Sequence, residues 1–191
     1  MQSYTDAPEL VQQFLNYKIS VQNRSKLTVM QYYHDLRTFF RFIVKTKYPA
    51  KFDGVNESEI SFAEVSDKDI TDVTSMDIYE FLSYAANDLD NKGDSRARKL
   101  SCLRSFYKYL TVTRNIIEDN PTQKIDSPKR NKKYPKFLSL DQSKQLLSAV
   151  DGKNKERDYA IITLFLNCGL RVSELAGINL SDIDSEMTTL Y

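Results

Sequence analysis

Arg171 and Glu174 are the residues of this sequence whose types and spacing offer chemistry. They stand three apart in NCGLRVSELAGINL, Asn167 to Leu180, directly after the apolar run YAIITLFL, Tyr159 to Leu166. From that run Arg171 is expected close to a core, where a guanidinium requires an anion. Two arrangements satisfy it. Glu174 is an i,i+3 partner of the kind that steadies ordinary helices. Alternatively, the planar fork of Arg171 is held beside an apolar wall to grip a phosphate. The motif by itself leaves both open.

Charge along the chain favours a polyanionic partner. The formal net charge is +1, yet residues 1–52 carry 8 basic and 3 acidic groups, and residues 53–90 carry 1 and 11. Residues 91–136 carry 13 basic and 4 acidic groups, and residues 137–191 carry 5 and 8. Two basic blocks thus flank an acidic one, as in a protein that turns only part of its surface to nucleic acid. Length and composition, 191 residues with 41% hydrophobic, suit one large domain or two small ones. There is no apolar run long enough to span a membrane, and the polar, acidic start MQSYTDAPEL is unlike a signal peptide. A cytoplasmic location is expected. Cys102 and Cys168 match no metal or redox spacing and are both expected to be small core residues.

The elements that must carry these groups are nearly all helices. Pro8 opens a first helix with Leu10, Val11, Phe14, Leu15 and Ile19 on a helical period. After a turn at QNRS, Ser25 is the expected N-cap of a long helix to about Lys47, with Val29, Tyr33, Leu36, Phe40 and Ile43 inward. Lys26, Arg37, Arg41 and Lys45 lie on its other face. The carboxylate-rich residues 49–72, with Pro49 and Gly54, read as an acidic insertion with little regular structure. A third helix spans Ser75 to Asn87.

The fourth helix, Ser95 to about Val112, gathers Leu100, Leu103, Phe106, Tyr107 and Leu110 within an arc of about 120°. Opposite stand Arg98, Arg104 and Lys108, interleaved with Ser101 and Ser105. Such a face suits a DNA groove, although a solvated surface is the commoner use of one basic helix. A second basic helix and a basic connection shift the balance. SPKRNKKYPK, Ser127 to Lys136, places Lys129, Arg130, Lys132 and Lys133 between two prolines that keep the chain extended. Residues 128–136 read as an interdomain linker able to neutralise backbone phosphates. Ser139 then caps a new helix with Leu146, Leu147 and Val150 on its apolar stripe, and SEMTTLY could open a strand. There is no internal repeat or glycine-rich phosphate loop.

GLRVSEL, Gly169 to Leu175, resembles the first catalytic-arginine motif of tyrosine site-specific recombinases, the family of phage integrases and bacterial Xer proteins. SKLTVMQYYHDLRTFFRFI and RARKLSCLRSFYKYL are similar to the second and fourth helices of that family's core-binding domain. NPTQKIDSPK resembles the exit from that domain, FLSLDQSKQLL the entry to the catalytic domain, and RDYAIITLFLNCGLRVSELAGINLSDID its first helices. The resemblance covers most of the chain, with the acidic stretch 53–72 as the clearest departure.

The resemblance implies a mainly α protein. A SAM-like core-binding domain of four to five helices would occupy residues 1–127, with the linker at 128–136 and an incomplete start of the catalytic domain at 137–191. It implies DNA strand breakage and rejoining through a 3′-phosphotyrosine, with no metal or other cofactor. Arg171 matches the first catalytic arginine, and Glu174 supports it. Double-stranded DNA is the implied partner, contacted by Lys26, Thr28, Arg37, Arg41, Arg96, Arg98, Lys99, Arg104, Lys108, Lys129, Arg130, Lys132 and Lys133. Other protomers would join in a synaptic tetramer of the full-length protein; no membrane or small-molecule substrate is expected.

The family's later lysine, His-x-x-Arg box and nucleophilic tyrosine match nothing here: the single histidine is His34, and Tyr191 has no motif around it. The chain is therefore expected to be a recombinase's N-terminal portion or a truncated relative, monomeric and inactive alone. The alternatives are a non-catalytic module that occupies recombination sites and a helical interaction protein whose basic faces are merely solvated.

Overall fold

A computed structural model describes residues 4–129 and 134–184. The chain divides into two compact units, residues 1–132 and 133–191.

In the first unit, α1 spans Glu9–Ser20 and α2 spans Lys26–Lys47. Ser25 caps α2 as expected, its hydroxyl accepting from the Thr28 amide at 3.2 Å. Between them the chain reverses at Asn23, which takes the left-handed conformation with φ of 49°, and the Arg24 amide donates to the Lys18 carbonyl. One expectation for α1 fails: Ile19 is exposed, and Lys18 is the buried side chain of that turn.

Residues 49–72 carry more regular structure than expected and contribute to the core. They form two 3₁₀ turns, Glu57–Glu59 and Phe62–Glu64, and a short helix, α3, Asp67–Thr71. Phe52, Ile60, Phe62, Val65 and Ile70 are all buried in the main core. Their irregular spacing follows the turns and not a helical period, which is why the stretch reads as loop. Its carboxylates pair with Lys45 and Lys47 at the end of α2 and with Lys51 just beyond it: Lys45 with Glu57 at 3.1 Å, Lys47 with Asp69 at 2.9 Å, and Lys51 with Glu64 at 2.6 Å.

A further helix, α4, Ser75–Asn87, starts from a capping box in which Thr74 and Asp77 bond each other's backbone amides. The next, α5, Gly93–Lys108, continues into a π-helical turn, Tyr109–Thr113. Helices α1, α2, α4 and α5 close on an aromatic centre. Phe39 meets Phe81 at 4.9 Å between ring centroids, and Phe106 meets Phe14 at 5.1 Å and Phe40 at 5.8 Å. The edge-to-face angles of these pairs suit the ring quadrupoles. The buried Tyr107 hydroxyl donates to the Ile70 carbonyl at 3.0 Å, tying α5 to α3.

The second unit contains α6, Leu140–Ser148, α7, Lys155–Cys168, and α8, Val172–Ala176. Ser139 caps α6 and Gln142 returns a bond to the Ser139 amide. No side chain on these three helices is fully buried, and Cys168 is exposed, unlike the buried Cys102. The expected strand in SEMTTLY lies outside the described residues. Among the described residues, no helix is long and apolar enough to cross a membrane.

Two measurements check the acidic stretch. Phe62→Ala should destabilise the chain by about 3–5 kcal/mol in urea unfolding, the cost of a core aromatic and not of a loop residue. Burial acts to raise the Asp69 carboxyl, but hydrogen bonds from Ser66, Lys47 and Tyr48 outweigh it and hold it at about 2 against an ordinary 3.8. A depressed folded value means the contribution is complete above the ordinary value and is lost as pH falls between about 4 and about 2. Asp69→Asn should lower stability at neutral pH and flatten this acid limb.

Candidate functional site

The basic residues singled out in the first unit divide into those engaged internally and those presented to solvent. Asp35, on α2 and 3% exposed, is the centre of the first group. Its two oxygens take Arg98 and Lys99 of α5, the latter at 3.3 Å. Lys99 is itself buried, so its ammonium belongs to the α2–α5 contact and is not offered at the surface. Arg98 remains 44% exposed at its side chain and is oriented by the carboxylate below it.

Arg104 is also engaged. Its guanidinium donates to the Ser127 hydroxyl at 2.7 Å and to the Ile125 carbonyl, holding the chain against α5 as it leaves the helical bundle. Arg37 lies over the Tyr33 ring at 5.2 Å, and Tyr33 donates to both oxygens of Asp6 at 2.7 and 2.9 Å. Arg41 and Arg96 are half-buried, each with an Nε atom that is buried without a hydrogen-bond partner. Burial and the neighbouring Arg37 both work against the charge of Arg41.

Lys26, Lys108 and Lys129 are exposed, and Thr28 is half-buried with its hydroxyl 2.9 Å from that of Ser25. Arg130, Lys132 and Lys133 lie outside the described residues. Sequence reasoning passed over Lys18 and Arg24. The available signal was a lysine one position from Ile19, on the inward-facing arc of α1.

In the second unit, α7 ends at Gly169, which takes φ of +64° as a left-handed helix terminus favours glycine to do. The chain then turns directly into α8, with Arg171 as its N-cap residue. Glu174 binds Arg171 twice. One carboxylate oxygen accepts the Arg171 amide at 2.7 Å and the other accepts its guanidinium at 2.6 Å. The backbone bond, joined by the guanidinium, lowers the Glu174 carboxyl below its ordinary value and favours its ionised form. Arg171 is not close to a core: its side chain is 82% exposed. The apolar run ahead of it is only partly covered, with Tyr159 48% exposed. An exposed pair of this kind contributes little to stability. What it sets is direction, because a guanidinium fixed at one edge presents its remaining N–H donors outward.

Two family models match the two regions separately. Residues 55–113 match the family model described as the phage integrase N-terminal SAM-like domain, and residues 136–191 match that of the phage integrase family. The first match includes residues 55–72. The chain is 46% identical over 183 residues to a tyrosine recombinase XerC of Caldanaerobacter subterraneus, covering 96% of this chain and 52% of that protein. It is 34% identical over 187 residues to a tyrosine recombinase XerC of Listeria welshimeri, covering 95% and 54%. Among solved structures, an integrase from mycobacterium phage Brujita aligns with a TM-score of 0.46 at 24% identity, covering 92% of this chain and 50% of that one. The chain spans about half the length of the curated relatives it matches.

Asp35→Ala would leave Lys99 charged and buried without its carboxylate. It should destabilise the chain by about 3 kcal/mol or more, and adding Lys99→Met should recover much of that loss in thermal or urea unfolding.

Proposed function

The chain belongs to the phage integrase family of tyrosine recombinases, and from that membership we propose that its first unit holds duplex DNA while Arg171 serves strand exchange. The observation that carries this reading is the Arg171–Glu174 pair, whose guanidinium is held by one edge and open to solvent on the other, within GLRVSEL. In the proposed reaction a tyrosine hydroxyl attacks a backbone phosphodiester, forming a 3′-phosphotyrosyl bond and releasing a 5′-hydroxyl. A second 5′-hydroxyl reverses the step on a new strand. The phosphodiester bond energy is retained in the covalent intermediate, so no nucleotide cofactor enters the balance.

Negative charge grows on the non-bridging oxygens as the phosphorus becomes five-coordinate. Arg171 is the proposed partner of that charge, and its value lies in being oriented before the reaction starts. Glu174 acts as a positioning residue, since it is ionised and faces the guanidinium. No later His-x-x-Arg box occurs in these 191 residues, whose single histidine is His34. That residue lies on α2, 3.4 Å from Arg37, and is given no catalytic part. The 191-residue chain is therefore proposed to bind DNA without cleaving it, and recombination would belong to the whole protein and its further protomers.

DNA contact is assigned to the exposed Lys26, Lys108 and Lys129 together with the half-exposed Arg98. Arg104 is assigned to holding the exit strand, and its removal would act by releasing Ile125 and Ser127.

Duplex binding by the 191-residue chain, titrated with salt and run beside a suicide-substrate assay, tests the reading. Affinity should fall linearly with salt on logarithmic axes, with no covalent adduct. Lys108→Ala should reduce the magnitude of the slope by about one. An adduct would place a reactive tyrosine within these residues and overturn the division of labour, whereas absence of binding would favour a helical interaction protein.

A further inference from the structure

Among the described residues the first unit buries two lysines, and they are treated differently. Lys99 has Asp35. Lys18 is only 5% exposed and, among the described residues, has no carboxylate beside it. Its ammonium donates to the Gln22 side chain at 2.8 Å and lies 5.0 Å from the centre of the Phe14 ring and 5.4 Å from that of Tyr32. Aromatic faces attract a cation, but they do not replace an anion for a buried charge with three donors.

Lys18 faces a cavity of about 280 Å³ between the end of α1, the turn into α2, and the junction of α5 with its π-helical turn. Two further cations line this cavity, Arg24 from the turn and Lys108 from the last turn of α5, together with the polar side chains of Gln22, Ser105 and Thr113. No carboxylate lines it. Burial, then Arg24, and also Lys108 lower the Lys18 ammonium from its ordinary value, so the three cations oppose one another while the cavity lacks an anion. Arg24 and Lys108 are themselves exposed, which opens the cavity to a group arriving from outside.

The construction of the turn fixes this geometry. Asn23 in the left-handed conformation lets the Arg24 amide close on the Lys18 carbonyl, so the two side chains depart from neighbouring backbone positions despite being six residues apart. The π-helical turn begins one residue after Lys108, at Tyr109, whose ring packs on Tyr17 at 5.0 Å and on Phe14 at 5.5 Å. The cavity walls are thus held by core contacts and not by surface side chains alone.

We infer that Lys18, Arg24 and Lys108 form a socket for one phosphate group, with Lys18 at its floor and Ser105 and Thr113 as hydroxyl donors. A tetrahedral phosphate offers several oxygens to donors converging from three elements, which point charges on an open surface do not. Resting on the proposed DNA function, the occupant is a single backbone phosphate of the duplex, and the socket anchors α5 at its C-terminal end. Phosphate contacts of this kind fix the register of a protein on DNA without reading sequence.

The test compares the 191-residue wild-type chain with Lys18→Met and with Arg24→Gln, the latter altering only an exposed side chain. Duplex affinity is measured against salt, and thermal unfolding is measured in inorganic phosphate against chloride of equal ionic strength. Each variant should bind duplex about tenfold more weakly, with the magnitude of the logarithmic salt slope lowered by about one. If the wild type fails to bind duplex while inorganic phosphate stabilises it and neither variant, the socket stands with a free phosphate as its source and the DNA reading falls. If the wild type binds duplex, the variants share its slope, and phosphate shifts all three equally, the socket is overturned and the DNA reading stands.

Discussion

Asp35 is the residue on which the arrangement of the first unit depends. It stands in the interior of α2, and the two basic residues it binds, Arg98 and Lys99, are adjacent on α5. Adjacent positions on a helix point about 100° apart, so one carboxylate that takes both fixes the rotation of α5 as well as its distance from α2. That rotation turns Leu100, Leu103 and Phe106 to the core and leaves Arg98 and Lys108 outward. A hydrophobic stripe alone would tolerate small rotations, since its contacts are non-directional. The buried ion pair supplies the directional part, at the desolvation cost such pairs carry.

The acidic stretch has a complementary role. Lys45, Lys47 and Lys51 end the first basic block, and all three are paired with carboxylates of residues 57–69. The positive charge of α2 is thereby quenched toward its C-terminal end. Arg24, in the turn between α1 and α2, and Lys108, at the C-terminal end of α5, share a cavity whose lining residues include no carboxylate. A near-neutral chain can in this way present a cationic surface over one region, which is the pattern an electrostatic DNA contact requires.

Much of this was legible in the residue pattern, because α1, α2, α4 and α5 each bury a stripe that repeats at helical spacing. The Ser25 and Ser139 caps were legible for the same local reason, a hydroxyl placed just ahead of a periodic run. The acidic stretch was not. Ile60, Phe62 and Val65 reach the core from 3₁₀ turns, and such short turns carry no period long enough to separate from loop. Nor was the sorting of the basic residues. Arg104 and Lys108 occupy one helical face, yet Arg104 is spent on the chain's exit while Lys108 stays exposed, and only the path of residues 125–127 decides between them.

Arg171 shows how two readings posed as rivals become one. The i,i+3 pair with Glu174 is formed, as the ordinary helical explanation requires, and it contributes little stability because the pair is exposed. A free arginine side chain, by contrast, carries about 2 kcal/mol of rotamer entropy that must be lost when it meets a phosphate. Glu174 removes part of that freedom in advance, with its two hydrogen bonds, from the Arg171 amide and guanidinium, fixing the near edge of the fork. The local helix contact and the proposed phosphate grip are therefore successive uses of one side chain: the first orients it, and the second takes the donors the first leaves open.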